Sequence, residues 1–242
     1  MLKATTLTLV ASLLVGLCAC DGAGHVSRAG SELRVTGAIT SDTFTQVSSF
    51  LEQPGVTRLM IASEGGSSWA SANLALLIQR NDIELVVQDH CLSSCAEYLL
   101  PAAKKLDLRE TAVIGFHGNP QLERQLLREA GEQAPFCGEQ AARALELIYR
   151  ASGANSEFWR SQREVLKPHN VRVVDGRSCK TVTYKTEIET WLPARRDLEA
   201  LLGRNLPGPV CADDPECVQT RALPLLGSGR PIMAAGRRYP LN

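Results

Sequence analysis

Between Leu33 and Phe116, short apolar runs alternate with stretches of helical periodicity, and each interval is long enough for one crossover helix. Leu33 to Ile39 reads as a strand, and Ser41 or Asp42 as the N-cap of a helix running through Phe50 and Leu51 to the stop at Pro54-Gly55. Thr57 to Ala62 is the next strand. After Gly65-Gly66, Trp69, Ala72, Leu76 and Ile78 fall at helical spacing. Ile83 to Val87 and Val113 to Phe116 are further strands, with a helix from Ser94 to Ala103 between them. Strands joined by helical crossovers pair mostly parallel, so the expected class is α/β, with a mainly parallel sheet flanked by helices.

Beyond the sheet, Gln121 to Gly131, Gly138 to Ala151 and Ser156 to Leu166 read as helices. Asp175-Gly176 between two β-branched runs marks a small inserted hairpin within Val171 to Lys185. From Leu206 on, Pro and Gly accumulate, and after Glu216 every charge is basic: Arg221, Arg230, Arg237 and Arg238. That end reads as an irregular tail, 205–242. The main domain is expected over 33–204.

The N-terminus has the layout of an export signal: Met1-Leu2-Lys3, an apolar stretch from Leu7 to Leu17, then Cys18-Ala19-Cys20-Asp21. Leu17-Cys18-Ala19-Cys20 resembles a bacterial lipobox, which implies a lipoprotein signal over 1–19 and lipidation at Cys20, with Cys18 fitting less well. Asp21 resembles an inner-membrane retention signal. The expected location is therefore the periplasmic face of a bacterial membrane, with the lipid as the membrane contact and 20–32 as a flexible tether.

Of the eight cysteines, Cys91, Cys95, Cys137, Cys179, Cys211 and Cys217 follow the signal region. An even number in an exported chain favours disulfides, and the spacing lacks the paired C-x-x-C of a strong zinc site. Cys211 and Cys217, flanking a turn-like stretch, suggest a local pair; the other connections stay open. Lys and Arg together number 26, as do Asp and Glu, so no net field points to nucleic acid.

Three segments carry chemistry: Ser63-Glu64-Gly65-Gly66-Ser67, Cys91-Leu92-Ser93-Ser94-Cys95-Ala96 and Ile114-Gly115-Phe116-His117-Gly118. Each follows a strand, and the carboxyl ends of parallel strands are where functional groups gather. Glycines open the backbone to a ligand, a serine at a helix start exposes its hydroxyl, and a histidine can accept its proton. Taken singly, the same features also read as a turn, a helix cap and a structural histidine.

In order and spacing these segments resemble the ClpP/crotonase superfamily, particularly exported ClpP-like serine peptidases. ClpP peptidases carry Ser-Pro-Gly-Gly, then a nucleophile segment like Ala-Ala-Ser-Met-Gly-Ala-Phe-Leu-Leu, then Ile-His at a strand end. Here Ser63-Glu64-Gly65-Gly66, Leu92 to Leu100 and Phe116-His117 correspond. The resemblance implies Ser94 as nucleophile, His117 as general base, and the Gly66 and Cys95 N–H groups as the oxyanion hole. Thr186 to Ala194 resembles the family's acid-bearing stretch and puts Glu189 in the acid's place, with Glu187 as fallback. Glu64 stands where the family has proline, and a carboxylate aimed at the site would oppose an oxyanion. The resemblance implies peptide or small protein substrates, no cofactor, and assembly of copies of the chain. The crotonase branch's acyl-CoA chemistry does not suit an exported site lacking CoA. The competing expectation is a non-catalytic module that keeps the fold to bind or assemble a partner.

Overall fold

The computed structural model describes residues 24–206, 208–227 and 231–239. Cys18, Cys20, Asp21 and Arg230 lie outside the described residues, and so do the signal and lipid-anchor expectations.

The central sheet runs β1 (His25–Ala29), β2 (Glu32–Thr36), β3 (Arg58–Ser63), β4 (Glu84–Leu92) and β5 (Lys105–Leu108), with β6 (Val113–Gly115) also paired to β4. All of these pairings are parallel except β1 with β2. The molecule is therefore α/β with a mainly parallel sheet. Helices α1 (Ser41–Leu51) and α2 (Ser68–Arg80) make the first two crossovers. Thr40, rather than Ser41 or Asp42, caps α1, because Thr40 and Thr43 satisfy each other's backbone N–H groups in a capping box. Leu33, Val35, Leu59, Ile61, Leu85 and Val87 alternate into the core, and Leu74, Ala75 and Ile78 of α2 close over them.

β4 decides where the site forms. Its first half, Glu84 to Val87, pairs with β5, and its last residues, His90 to Leu92, pair with β6. A register shift in the β3–β4 pairing between Ile61 and Ser63 accompanies the change of partner. The carboxyl ends of β4 and β6 thus lie side by side, tied by the Ser93 N–H donating to Gly115 O at 2.8 Å.

After β4 the helix expected from Ser94 to Ala103 is present as a π-helical turn, Cys95–Leu99, that runs into α3 (Leu100–Ala102). Helices α4 (Pro120–Glu129), α5 (Glu139–Ser152) and α6 (Phe158–Leu166) follow β6. The inserted hairpin is present as β7 (Pro168–Asp175) and β8 (Lys180–Thr186), a two-stranded sheet stapled to the start of α5 by Cys137–Cys179. β9 (Thr190–Leu192) and α7 (Arg195–Leu202) come next.

The ends differ from expectation. Part of the supposed tether, His25 to Ala29, forms β1, where Val26 is buried against the sheet. The supposed irregular tail holds short helical turns over 211–226, and β10 (Ile232–Ala234) and β11 (Arg237–Tyr239), with β10 parallel to β9. Val210, Val218, Ala222 and Ile232 anchor this tail in the core, and Cys211–Cys217 closes its first turn. Arg221 pairs with Asp89 of β4.

Candidate functional site

Cys91, the residue before the last of β4, is bonded to Cys95, so a disulfide spans Leu92-Ser93-Ser94. Inside that ring Ser93 takes φ +54°, a left-handed conformation that non-glycine residues adopt at a cost of about 1–2 kcal/mol. The turn is further set by Gly65. A Cβ there would lie 2.7 Å from Leu92 O and 2.8 Å from the Ser93 Cβ, so only glycine lets the two loops touch. Strand, strained turn and helix together place Ser94 at the mouth of the π-helical turn.

Ser94 occupies the N-cap position, yet its side chain makes no capping hydrogen bond. The Oγ accepts from the Ser71 hydroxyl of α2 at 2.9 Å and donates to Gly66 O at 3.3 Å. Gly66 is bridged to Ile39 through Ile39 N–H to Gly65 O and Ser67 N–H to Ile39 O, a ladder that bypasses the amide of Gly66 itself. Cys95 opens the π-helical turn, where first-turn amides lack partners within the helix. Glu64 points away: its carboxylate is 3.9 Å from His90 Nε2 and is not among the groups lining the Ser94 cavity.

His117 lies two residues past the end of β6, after Phe116. Phe116 exchanges both backbone hydrogen bonds with Trp191, at 2.9 and 2.7 Å, in an antiparallel bridge. In that register His117 falls opposite Thr190, one residue from Glu189. Two cavities meet at the imidazole. One, of about 200 Å³, is lined by Ser94, Glu97, Tyr98, Asn119 and Glu123. The other, of about 420 Å³, is lined by Glu189, Thr186 and Thr190, and His117 lines both together with Glu123 and Tyr184. Although His117 is exposed as a residue, the protein packed around its imidazole lowers the pKa, opposed by a backbone hydrogen bond and by the charge of Glu189. Among the described residues Ser94 and His117 share a cavity without a mutual hydrogen bond. Glu187 instead pairs with Lys167 at 3.3 Å, away from these cavities.

Sequence reasoning missed Glu97, three residues past Ser94. It is buried, accepting from Gln162 Nε2 at 2.5 Å, Asn119 Nδ2 at 3.3 Å and the Tyr149 hydroxyl at 3.5 Å. Burial outweighs those donors and pushes its pKa up to about 8. Glu123, on the same cavity, is pushed up to about 7 by burial. Both are therefore protonated in acid, and Glu97 keeps its proton to higher pH than Glu123. An acidic residue in the apolar run Cys95 to Leu100 was the available signal. Among the described residues no group of three or more His, Cys, Asp or Glu is arranged to hold a metal.

No protein-family model matches this sequence, and no curated protein sequence does. Among solved structures the chain is similar to a membrane-bound stomatin-specific protease, with TM-score 0.38 and 15% identity over 53% of this chain and 66% of that one. It is similar to methylmalonyl-CoA decarboxylase, with TM-score 0.31 and 9% identity over 41% and 49%. A probable enoyl-CoA hydratase/isomerase from Mycobacterium abscessus gives TM-score 0.31 and 14% identity over 54% and 57%. The chain thus spans between about half and two thirds of these structures' lengths.

Proposed function

We propose that this chain is a ClpP-like serine hydrolase acting on peptides, with Ser94 as nucleophile, His117 as general base and Glu189 orienting the imidazole. The observation that carries this reading is the position of His117 at the junction of two cavities, with Ser94 on one side and Glu189 on the other. The lowered imidazole pKa keeps His117 neutral and able to accept a proton near pH 7. In the reaction Ser94 Oγ leaves the Gly66 carbonyl, passes its proton to His117 and bonds to the substrate carbonyl carbon. The Gly66 and Cys95 amides receive the oxyanion, and His117 returns the proton to the leaving amine. Water then repeats the sequence on the acyl-enzyme.

Export and a lipid anchor at Cys20 belong to the same proposal, supported by the signal-like N-terminus and by three disulfides, which persist in oxidising compartments. With no ATP-driven unfoldase there, substrates are short or already unfolded.

A second reading, a non-catalytic binding module, has one observation in its favour: the Ser94 hydroxyl is engaged by Ser71 and Gly66 instead of His117. Hydrolysis of fluorogenic esters and peptides separates the two. Turnover by the wild type, abolished in Ser94→Ala and reduced at least about 10³-fold in His117→Ala, supports the hydrolase. Turnover that survives Ser94→Ala contradicts Ser94 as the nucleophile, and none from folded wild type supports the module.

A further inference from the structure

A cavity of about 560 Å³ opens between α4, α5 and the start of α6, and it shares no lining residue with the two cavities at His117. Gln121, Arg124, Gln125 and Arg128 line it, a spacing of i, i+3, i+4 and i+7 that forms one stripe along the helix. The opposite face of α4, Leu122 and Leu126, is buried in the smaller core cluster. Across the gap α5 contributes Glu146 and Arg150, one turn apart.

Charge in this cavity does not balance. Four arginines line it against two carboxylates. Arg124, only 15% exposed, is taken up by Glu146 and by Glu139 at 3.5 Å, and Arg160 by Glu157 at 2.8 Å. Arg128 and Arg150 have no carboxylate within 4.0 Å among the described residues; Arg128 reaches Glu139 only as a more distant charge. The wall also holds Gln121, 5% exposed, whose Oε1 is buried with no hydrogen-bond partner. Trp159 supplies an aromatic side beneath the Arg160 guanidinium, 5.4 Å from its centroid.

We propose that this cavity binds a small anionic ligand bearing a carboxylate or phosphate group, held by Arg128 and Arg150, with a hydroxyl or N–H beside the charge to meet Gln121. Paired planar guanidiniums suit such oxyanions because their donors match two oxygens at once. Arg124, fixed by its two glutamates, sets the floor. Because the buried Gln121 amide oxygen makes no hydrogen bond, a ligand donor that reaches it satisfies an otherwise unpaired acceptor. The site stands apart from Ser94 and does not depend on the hydrolase reading.

The test titrates the whole protein with citrate, tricarballylate and glycerol 3-phosphate at constant ionic strength, following Tm and tryptophan fluorescence. Citrate or glycerol 3-phosphate should raise Tm by roughly 3–6 °C at about ten times Kd, saturably. The more effective probe identifies the anionic group. Tricarballylate, lacking the hydroxyl, should bind more weakly than citrate. The double variant Arg128→Gln/Arg150→Gln should fold with unchanged Tm and lose the saturable response, while Trp159→Phe keeps the Tm response and loses the fluorescence change. An equal response in the double variant, or none from wild type to either hydroxyl-bearing anion, overturns the proposal.

Discussion

The buried hydroxyl of Ser71 donates to the Oγ of Ser94 across 2.9 Å, linking the α2 crossover helix to the turn after β4. Under the proposed hydrolase mechanism, a donor on the Ser94 oxygen stabilises the charge that grows there when the proton leaves. Ser71→Ala should therefore slow acylation of Ser94 by about fivefold and cost about 1 kcal/mol of stability, the net worth of one ordinary hydrogen bond. Labelling kinetics with a fluorophosphonate, beside a urea melt, measure the two effects separately.

Acylation should follow a bell-shaped pH profile. The rising limb reports His117 losing its proton, at a pH below the usual imidazole value of 6.5 because packing disfavours the charged ring. The falling limb, at about pH 7–8, reports Glu123 and Glu97 ionising beside the proposed oxyanion site. Glu189→Gln should shift the rising limb to still lower pH, by removing the charge that favours imidazolium. Glu97→Gln should move or flatten the falling limb without touching the rising one.

Glu97 also makes a prediction about stability. Its carboxyl, ordinarily titrating near 4.5, holds its proton in the folded state up to about pH 8. The folded state therefore binds more protons than the unfolded chain between those values, so this contribution is fully present below about 4.5 and is lost as pH rises through about 8. The loss amounts to a few kcal/mol. Glu97→Gln should show a flatter stability curve from pH 5 to 8 in chemical denaturation, and become the more stable protein relative to wild type at the alkaline end.

The Cys91–Cys95 bridge constrains a very short loop, for which chain entropy gives about 2 kcal/mol. Replacing both by alanine should lower stability by that order and slow labelling at Ser94 further, because φ +54° at Ser93 is no longer enforced. Adding Ser93→Gly to that background should recover part of the rate, since glycine adopts such a φ without steric cost. Unaltered labelling after bridge removal would show that the turn holds itself.

The sheet was legible because Leu33 to Phe116 carries its strand and crossover signals in the apolar pattern alone. β1 and β5 were not, since His25 to Ala29 and Lys105 to Leu108 are short, polar edges that become strands only by pairing with β2 and β4. The tail escaped for a related reason: its Pro and Gly content is that of a loop, but Ile232 to Ala234 finds a partner in β9. At the site, the sequence pointed to Ser94, His117 and Glu189, which line two cavities joined at His117. It did not reveal Ser71, ordinary in sequence and significant only through the long-range contact that α2 makes, nor the buried state of Glu97. Nor does the sequence carry a geometric signal that pairs Cys91 with Cys95.

The central claim is that the Ser94 oxygen is an activated nucleophile, and peptide mapping of the fluorophosphonate adduct tests it most directly. A single adduct on the peptide carrying Ser94, lost in Ser94→Ala and sharply slowed in His117→Ala at unchanged Tm, is the predicted result. An adduct elsewhere, a rate indifferent to His117, or no adduct on folded wild type would contradict it.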